Sequence, residues 1–345
     1  SGSHGWSRAG TVLSTSVAVL LAVAGTAGFA AASDPGWSEE AEIAGYRQMI
    51  QEQNLDWVAT KTSVSHIPPS LRDGWRGLIP MTDEEARRGA SGTVIALNQR
   101  DIPTSWDWRY ATGDHPVGTT PAKQQGGCGS CWAFAAVGSL ESLYKITNNG
   151  TQVLLSEQQC ISCNEYGHGC DGGNMVSCYD LWTFYGSVAS SCMPYYGSEG
   201  IACSQDECEV KARITGTHFV LVTPEGLKTA IMTHPIAVTI YADNPMFSYG
   251  GGCYVGPNQA TNHAVLLCGW DDSQCSGQGA WLIKNSWGAG WGMSGFGWIR
   301  YGSCSIGAQG RTLDYEPFPA VKLAYIGHTV QDGGNGVLEP GETAQ

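Results

Sequence analysis

The apolar positions change their pattern as the chain proceeds. From Thr11 to Ala32 the run TVLSTSVAVLLAVAGTAGFAAA carries no charge, follows Arg8 and ends in small residues. That reads as an export signal with a cleavage site near Ala30 to Ala32. An uncleaved membrane anchor is the alternative, weakened by the Gly, Ser and Thr content. Gly36 to Gln53 then reads as a polar helix, followed by a mixed segment with Pro68, Pro69 and Pro80. Between Cys131 and Thr147 the apolar residues Phe134, Val137, Leu140, Leu143 and Tyr144 recur at helical spacing. Gly126, Gly127 and Gly129 supply a flexible turn just before it, which predicts Cys131 as the first helical residue. Later, HPIAVTIYA, HAVLLCGW, AWLIKNSW and FGWIRYG are short apolar runs between Gly-rich turns, the pattern of an antiparallel sheet. Helices first and strands second make the class α+β, in two halves.

Composition narrows the picture. A chain of 345 residues with 42% hydrophobic and 10% aromatic content is a folded protein of about two domains, which excludes disorder throughout. Eighteen Lys and Arg against 31 Asp and Glu give −13 with no basic run, so nucleic acid is not an expected partner. Thirteen cysteines fit an oxidising, extracellular location, and their odd number leaves one thiol free to work. All lie between Cys128 and Cys304. The cysteine-free segment before them is expected to be a removable unit, joined through ARRGASGTVIALNQR, a linker of small residues open to proteolysis.

The run Gln125-Gly-Gly-Cys-Gly-Ser-Cys-Trp-Ala-Phe134 carries the candidate chemistry, with His263 132 residues beyond Cys131 and Asn285 154 residues beyond it. A cysteine at a helix N-terminus feels the positive end of the helix dipole, and an imidazolium partner adds to that, so the thiol pKa of Cys131 is expected to be lowered. His263 begins one apolar strand and Asn285 ends the next, and a hairpin centred near Gln274 would bring them opposite each other. An Asn side-chain oxygen can accept the imidazole N–H and fix its tautomer, and Trp287 can shield that bond from water. Gln125 can donate to an oxyanion together with the Cys131 backbone N–H. A redox or zinc role for the Cys128/Cys131 spacing explains neither the following Trp-Ala-Phe nor the distant His and Asn motifs.

These runs, QGGCGSCWAF, TNHAVLLCGW and KNSWGAGWGMSGFGWI, resemble the papain-like cysteine proteases over about Ile102 to Arg311. The resemblance implies a two-subdomain fold: a helical half whose central helix starts at the catalytic cysteine, a β-rich half, and the cleft between them. It implies cleavage of protein or peptide substrates with Cys131, His263, Asn285 and Gln125 as catalytic residues and without a metal or cofactor. Gly172 and Gly173 would hold an extended peptide backbone. Met175, Thr239 and Ala264 would line the pocket for the second residue before the scissile bond, with Ile306 to Gln309 as its far wall. The implied disulfides are Cys128 with Cys170, Cys163 with Cys203, and Cys253 with Cys304; the partners of Cys160, Cys178, Cys192, Cys208, Cys268 and Cys275 stay open.

The resulting division is 1–32, a vector-derived scar plus signal peptide; 33–99, an inhibitory prosegment; 100–316, the peptidase domain; and 317–345, a linker or the start of a further module. Mature protein is expected to begin between Ala96 and Ile102. The tail from Val321 resembles the opening of β-sandwich modules of bacterial secreted enzymes, while a calcium loop from Asp332, Asn335 and Glu339 lacks the alternate spacing it needs. A secreted, monomeric endopeptidase zymogen is expected. The alternatives are exopeptidase or ligase chemistry on the same site, or a silent binding protein, which intact Cys131, His263, Asn285 and Gln125 argue against.

Overall fold

A computed structural model describes residues 34–88, 90–94 and 101–315. The export-type run, residues 96–100 of the expected mature start between Ala96 and Ile102, and the tail from 316 lie outside the described residues.

The chain begins with α1 (Glu39–Glu52), β1 (Trp57–Ala59), a 3-10 helix (Pro69–Trp75), α2 (Asp83–Arg87) and β2 (Ala90–Val94). Ser38 caps α1, and Glu39, Glu40 and Glu42 sit in its first turn, where the helix dipole favours negative charge. Thr82 and Glu85 close a capping box on α2.

Next come β3 (Ser105–Asp107), α3 (Cys131–Thr147), α4 (Glu157–Cys163) and α5 (Met175–Phe184). The helix α3 has the span its apolar spacing predicts, yet every residue from Cys131 to Leu143 is buried, so it is enclosed on all sides and not only along one stripe. Glu141 is buried with it and is fully engaged, accepting from Thr120 Oγ1 at 2.7 Å, Lys123 Nζ at 2.7 Å and the Leu155 N–H at 2.8 Å. Lys123 also reaches Glu157 at 2.7 Å. A buried charge is costly unless paired, so this cluster ties the loop leading to Cys131 onto α3 and α4.

The second half holds β4 (Ser187–Val188), β5 (Val210–Ala212), β6 (Ile214–Val220), α6 (Pro224–Thr233), β7 (Ile236–Ile240), β8 (Tyr249–Tyr254), β9 (His263–Asp271), β10 (Ala280–Lys284), β11 (Phe296–Arg300) and β12 (Arg311–Tyr315). The main sheet runs β1, β8, β11, β10, β9, β3, with β7 also paired to β9. It is antiparallel except where β11 meets β8. Trp270, Trp281, Trp287, Trp291 and Phe247 fill the core of this half. A second core, built on Trp132, Leu140, Tyr179 and Trp182, joins α3 to α5, and Cys131 and Ala264 lie within it. The start of α3 therefore faces the start of β9 where the two halves meet.

The N-terminal segment is woven into both halves. β1 forms the edge of the main sheet, and β2 pairs parallel with β6. Part of the stretch read as an open linker is thus a hydrogen-bonded strand. Arg311 donates to the carbonyls of Arg88 at 2.8 Å and Glu85 at 3.3 Å, tying the end of α2 to β12.

Four disulfides are present: Cys128–Cys170, Cys163–Cys203, Cys192–Cys208 and Cys253–Cys275. The expected Cys253–Cys304 bond is not formed, and Cys304 is a buried free thiol. Strand alternation explains the correction. A Cβ on Gly256 would meet Cys304 Sγ at 2.7 Å, which places Cys304 on the side shared by Tyr254 and Gly256, whereas Cys253 points to the other side. There Cys275, in the turn between β9 and β10, lies 5.3 Å away Cα to Cα.

Candidate active site

Cys131 opens α3, and the N-cap residue Ser130 makes no side-chain cap bond, so the first helical N–H groups remain available to the thiol. The Ala264 N–H donates to Cys131 Sγ at 3.4 Å. Ala264 follows His263, the first residue of β9. The pairing of Lys284 with Leu266 carries the end of β10 to the same place, and His263 Nε2 meets Asn285 Oδ1 at 2.8 Å. That oxygen also accepts the Ser286 N–H at 2.8 Å, so it is the acceptor and Nε2 carries the proton. The basic nitrogen is then Nδ1, which has no hydrogen-bond partner. The Trp287 ring lies 4.7 Å from the imidazole, Phe247 backs it at 4.3 Å, and all three rings are fully buried. Water is thereby kept from the His263–Asn285 bond.

Gln125 is held on several sides. Its N–H donates to the Ser286 carbonyl at 2.9 Å, and its Oε1 accepts from Ser286 Oγ at 2.6 Å. Nε2 donates to the carbonyls of Cys128 at 2.9 Å and Trp75 at 3.2 Å. Tyr195 OH donates to the Gln125 carbonyl at 2.6 Å and lies 2.8 Å from Ser130 Oγ, bracing both ends of the loop before Cys131. Sequence reading missed Ser286 and Tyr195. Ser286 had a signal in its place between Asn285 and Trp287, but Tyr195, 70 residues from Gln125, had none.

Gly172 and Gly173 lie across from this loop, and the Cys128–Cys170 bond and a 2.7 Å hydrogen bond from the Gly129 N–H to the Cys170 carbonyl hold the two loops together. The two glycines serve different ends. Gly172 has φ +126°, which L side chains rarely adopt, and a Cβ there would press on Gly77 and Ile79. A Cβ on Gly173 would instead strike Trp132 at 2.6 Å, so its small size serves packing while its backbone does the pairing. Met175, Thr239 and Ala264 are all buried, and Thr239 pairs with Ala264 across β7 and β9. Ala308 accepts the Thr239 N–H at 2.9 Å, which brings the stretch 306–309 against the same place.

The N-terminal segment crosses this site. The Trp75 carbonyl accepts from Gln125 Nε2 and, at 3.4 Å, from Trp287 Nε1. Gly77 passes so close to Gly129 that a Cβ on it would overlap the Gly129 carbonyl. The Gly77 carbonyl accepts from the Gly173 N–H at 2.9 Å and the Ile79 N–H donates back to the Gly173 carbonyl at 2.8 Å, a parallel pairing.

Electrostatics follow from that cover. Burial pushes the Cys131 thiol up to about 11, against the pull of the N–H groups of Ala264, Gly77, Trp132 and Cys131. The lowered thiol pKa expected from the helix end is therefore not what this closed arrangement has, because exclusion of water outweighs the dipole. Burial likewise lowers His263 to about 4, against the supporting Asn285 hydrogen bond. Both shifts favour the neutral form of the group.

A thiol at a helix mouth, an imidazole on the residue next to the one whose N–H meets that thiol, with one nitrogen unpartnered, an amide orienting it and a second amide held beside the thiol's loop form a set suited to cysteine acyl transfer. Residues 102–312 match the family model described as "Papain family cysteine protease", and the chain belongs to that family. It is 36% identical to papain of Carica papaya over 289 residues, covering 76% of this chain and 78% of papain, and 32% identical to ananain of Ananas comosus, covering 76% and 81%. Among solved structures, a digestive procathepsin L 3 from Tenebrio molitor larval midgut superposes with TM-score 0.68 at 27% identity, over 80% of this chain and 88% of that one. The ragweed pollen allergen Amb a 11 in its proform gives the same TM-score and identity over 81% and 88%.

Proposed function

We propose that the chain is the zymogen of a secreted endopeptidase, with residues 33–99 as inhibitory prosegment and 100–316 as peptidase domain. The observation that carries this reading is the convergence of Cys131, His263, Asn285 and Gln125 beneath a segment of the same chain. Once the prosegment leaves, water and substrate reach the cleft and the penalty on charging the thiol falls. Nδ1 of His263 takes the Cys131 proton, and the thiolate attacks the substrate carbonyl carbon. The oxyanion of the tetrahedral intermediate receives N–H bonds from Gln125 Nε2 and the Cys131 backbone. His263 returns the proton to the leaving amine, the C–N bond breaks, and a thioester remains. Water, deprotonated by His263, attacks that thioester, and the acid departs as the thiol re-forms.

Gly173 would pair with substrate through the same N–H and carbonyl that meet Gly77 and Ile79, but with the substrate running in the opposite direction. Met175, Thr239 and Ala264, with Ala308, would accept an apolar side chain two residues before the scissile bond. The prosegment escapes cleavage by its direction. It runs from Trp287 toward Gly173, so its C-terminal end occupies the side where a substrate would place its N-terminal residues. Export accords with four disulfides in a chain of thirteen cysteines. The test is hydrolysis of internally quenched peptides before and after prosegment removal; activity that is low before and high after is expected, and equal activity in both states contradicts the zymogen assignment.

A further inference from the structure

Arg76 lies between Trp75, whose carbonyl meets Gln125 and Trp287, and Gly77, which passes over Gly129. Its side chain is therefore on the Trp287 side of the nucleophile, beside the place a substrate's first residue after the scissile bond would take. The guanidinium lies 5.0 Å over the Phe247 ring, and Nη2 donates to Asn244 Oδ1. Asp243, next in the chain to Asn244, adds electrostatic attraction. Asp73 holds Nη1 at 3.0 Å, and Nε has no hydrogen-bond partner. Arg72 shares the same ring, 4.9 Å from its centroid, and approaches the Asn244 carbonyl at 3.4 Å. Arg72 is balanced by Glu42 of its own segment, whereas Arg76 is shared between Asp73 of that segment and Asn244, Asp243 and Phe247 of the other half.

From this we propose that Asn244, Asp243 and Phe247 form a subsite for a basic residue directly C-terminal to the scissile bond, so that the mature enzyme prefers substrates with Arg or Lys there. The inference rests on the peptidase reading above. When the prosegment departs, Asp73 departs with it, while Asn244, Asp243 and Phe247 stay on the peptidase half. A substrate guanidinium then finds an amide oxygen, a neighbouring carboxylate and an aromatic face, the groups of the peptidase half that Arg76 meets in the closed form. Phe247 packs on Trp287, which packs on His263, so a cation held here sits close behind the catalytic ring without touching it.

The test uses the activated full chain and a peptide series with a fixed apolar residue two positions before the scissile bond and Arg, Lys, Leu or Glu directly after it. The expected result is a kcat/KM roughly tenfold higher for Arg and Lys than for Leu, and lower still for Glu. Asn244→Leu should bring the Arg to Leu ratio near one. A second measurement does not depend on that variant folding: a synthetic peptide of residues 69–82 should inhibit the wild-type enzyme, and its Arg76→Leu form should inhibit about tenfold less. Equal cleavage of all four peptides with equal inhibition by both prosegment peptides overturns the subsite and leaves the peptidase reading standing. No cleavage of any peptide overturns both.

Discussion

The Nε2 amide of Gln125 donates to the carbonyl oxygen of Trp75 at 3.2 Å, so the group suited to an oxyanion is occupied by the chain's own backbone. If that amide serves the transition state, Gln125→Ala should lower kcat of the activated enzyme by roughly 10²–10³-fold with little change in KM. Ser286→Ala, which frees the Gln125 side chain without removing it, should cost less. Wild-type kcat in Gln125→Ala would remove Gln125 from the mechanism.

Glu42 and Arg72 hold the prosegment's own fold. Arg72 is fully buried and makes paired bonds of 2.8 and 2.6 Å to the Glu42 carboxylate, which Tyr46 OH also reaches at 2.6 Å. Burial pushes the Glu42 carboxyl up, but the Arg72, Tyr46 and Trp37 contacts together hold it below its ordinary value. Glu42→Ala leaves a buried guanidinium unpaired, a loss of about 3–5 kcal/mol. The expected outcome is a proform that cleaves peptide at neutral pH without activation, read by a fluorogenic assay; a latent Glu42→Ala proform contradicts it.

Acid should loosen the closed form. His263 and His234 are both lowered to about 4 by burial, against about 6.5 for a free imidazole. Between pH 6.5 and 4 the unfolded or released state binds protons that the closed state refuses. The stabilisation from these neutral rings is complete above pH 6.5 and is lost as pH falls toward 4. His234 takes the Leu313 N–H on Nε2 at 3.1 Å, so its protonation also breaks a hydrogen bond. Thermal melts of the Cys131→Ala proform should drop through this window, and His234→Gln should flatten the slope; a pH-independent melt contradicts the assignment.

The thiol count offers a separate check. Peptide mapping without reduction should find Cys253 linked to Cys275 and should recover Cys131, Cys160, Cys178, Cys268 and Cys304 as free thiols. A Cys253–Cys304 peptide would contradict the strand-face argument.

What the sequence revealed and what it hid divide by range. The limits of α3 were legible because glycines precede it and its apolar spacing is regular, and the strands around His263 and Asn285 stood out as apolar runs between glycines. Cys131, His263 and Asn285 each lie at the edge of such a run, which made them legible too. Tyr195 was not, since a tyrosine in a disulfide-rich loop carries no periodic signal and its two partners lie far away in sequence. The Cys253 partner depended on which face of β8 each residue takes, and β2 on an open edge of β6 that only the folded sheet supplies. The raised thiol pKa was hidden for a similar reason: the dipole of α3 is a local property, but the cover over Cys131 comes from residues more than fifty positions earlier.

Cys131 as nucleophile is tested most directly by comparing wild type with Cys131→Ala, both acid-treated and freed of residues before about 100, against one internally quenched peptide under reducing conditions. The account predicts steady turnover by the wild type, a mass increase on Cys131 with a thiol-directed inhibitor, and no turnover by Cys131→Ala. Equal turnover by both proteins, or none by the wild type once the cleft is open, contradicts it.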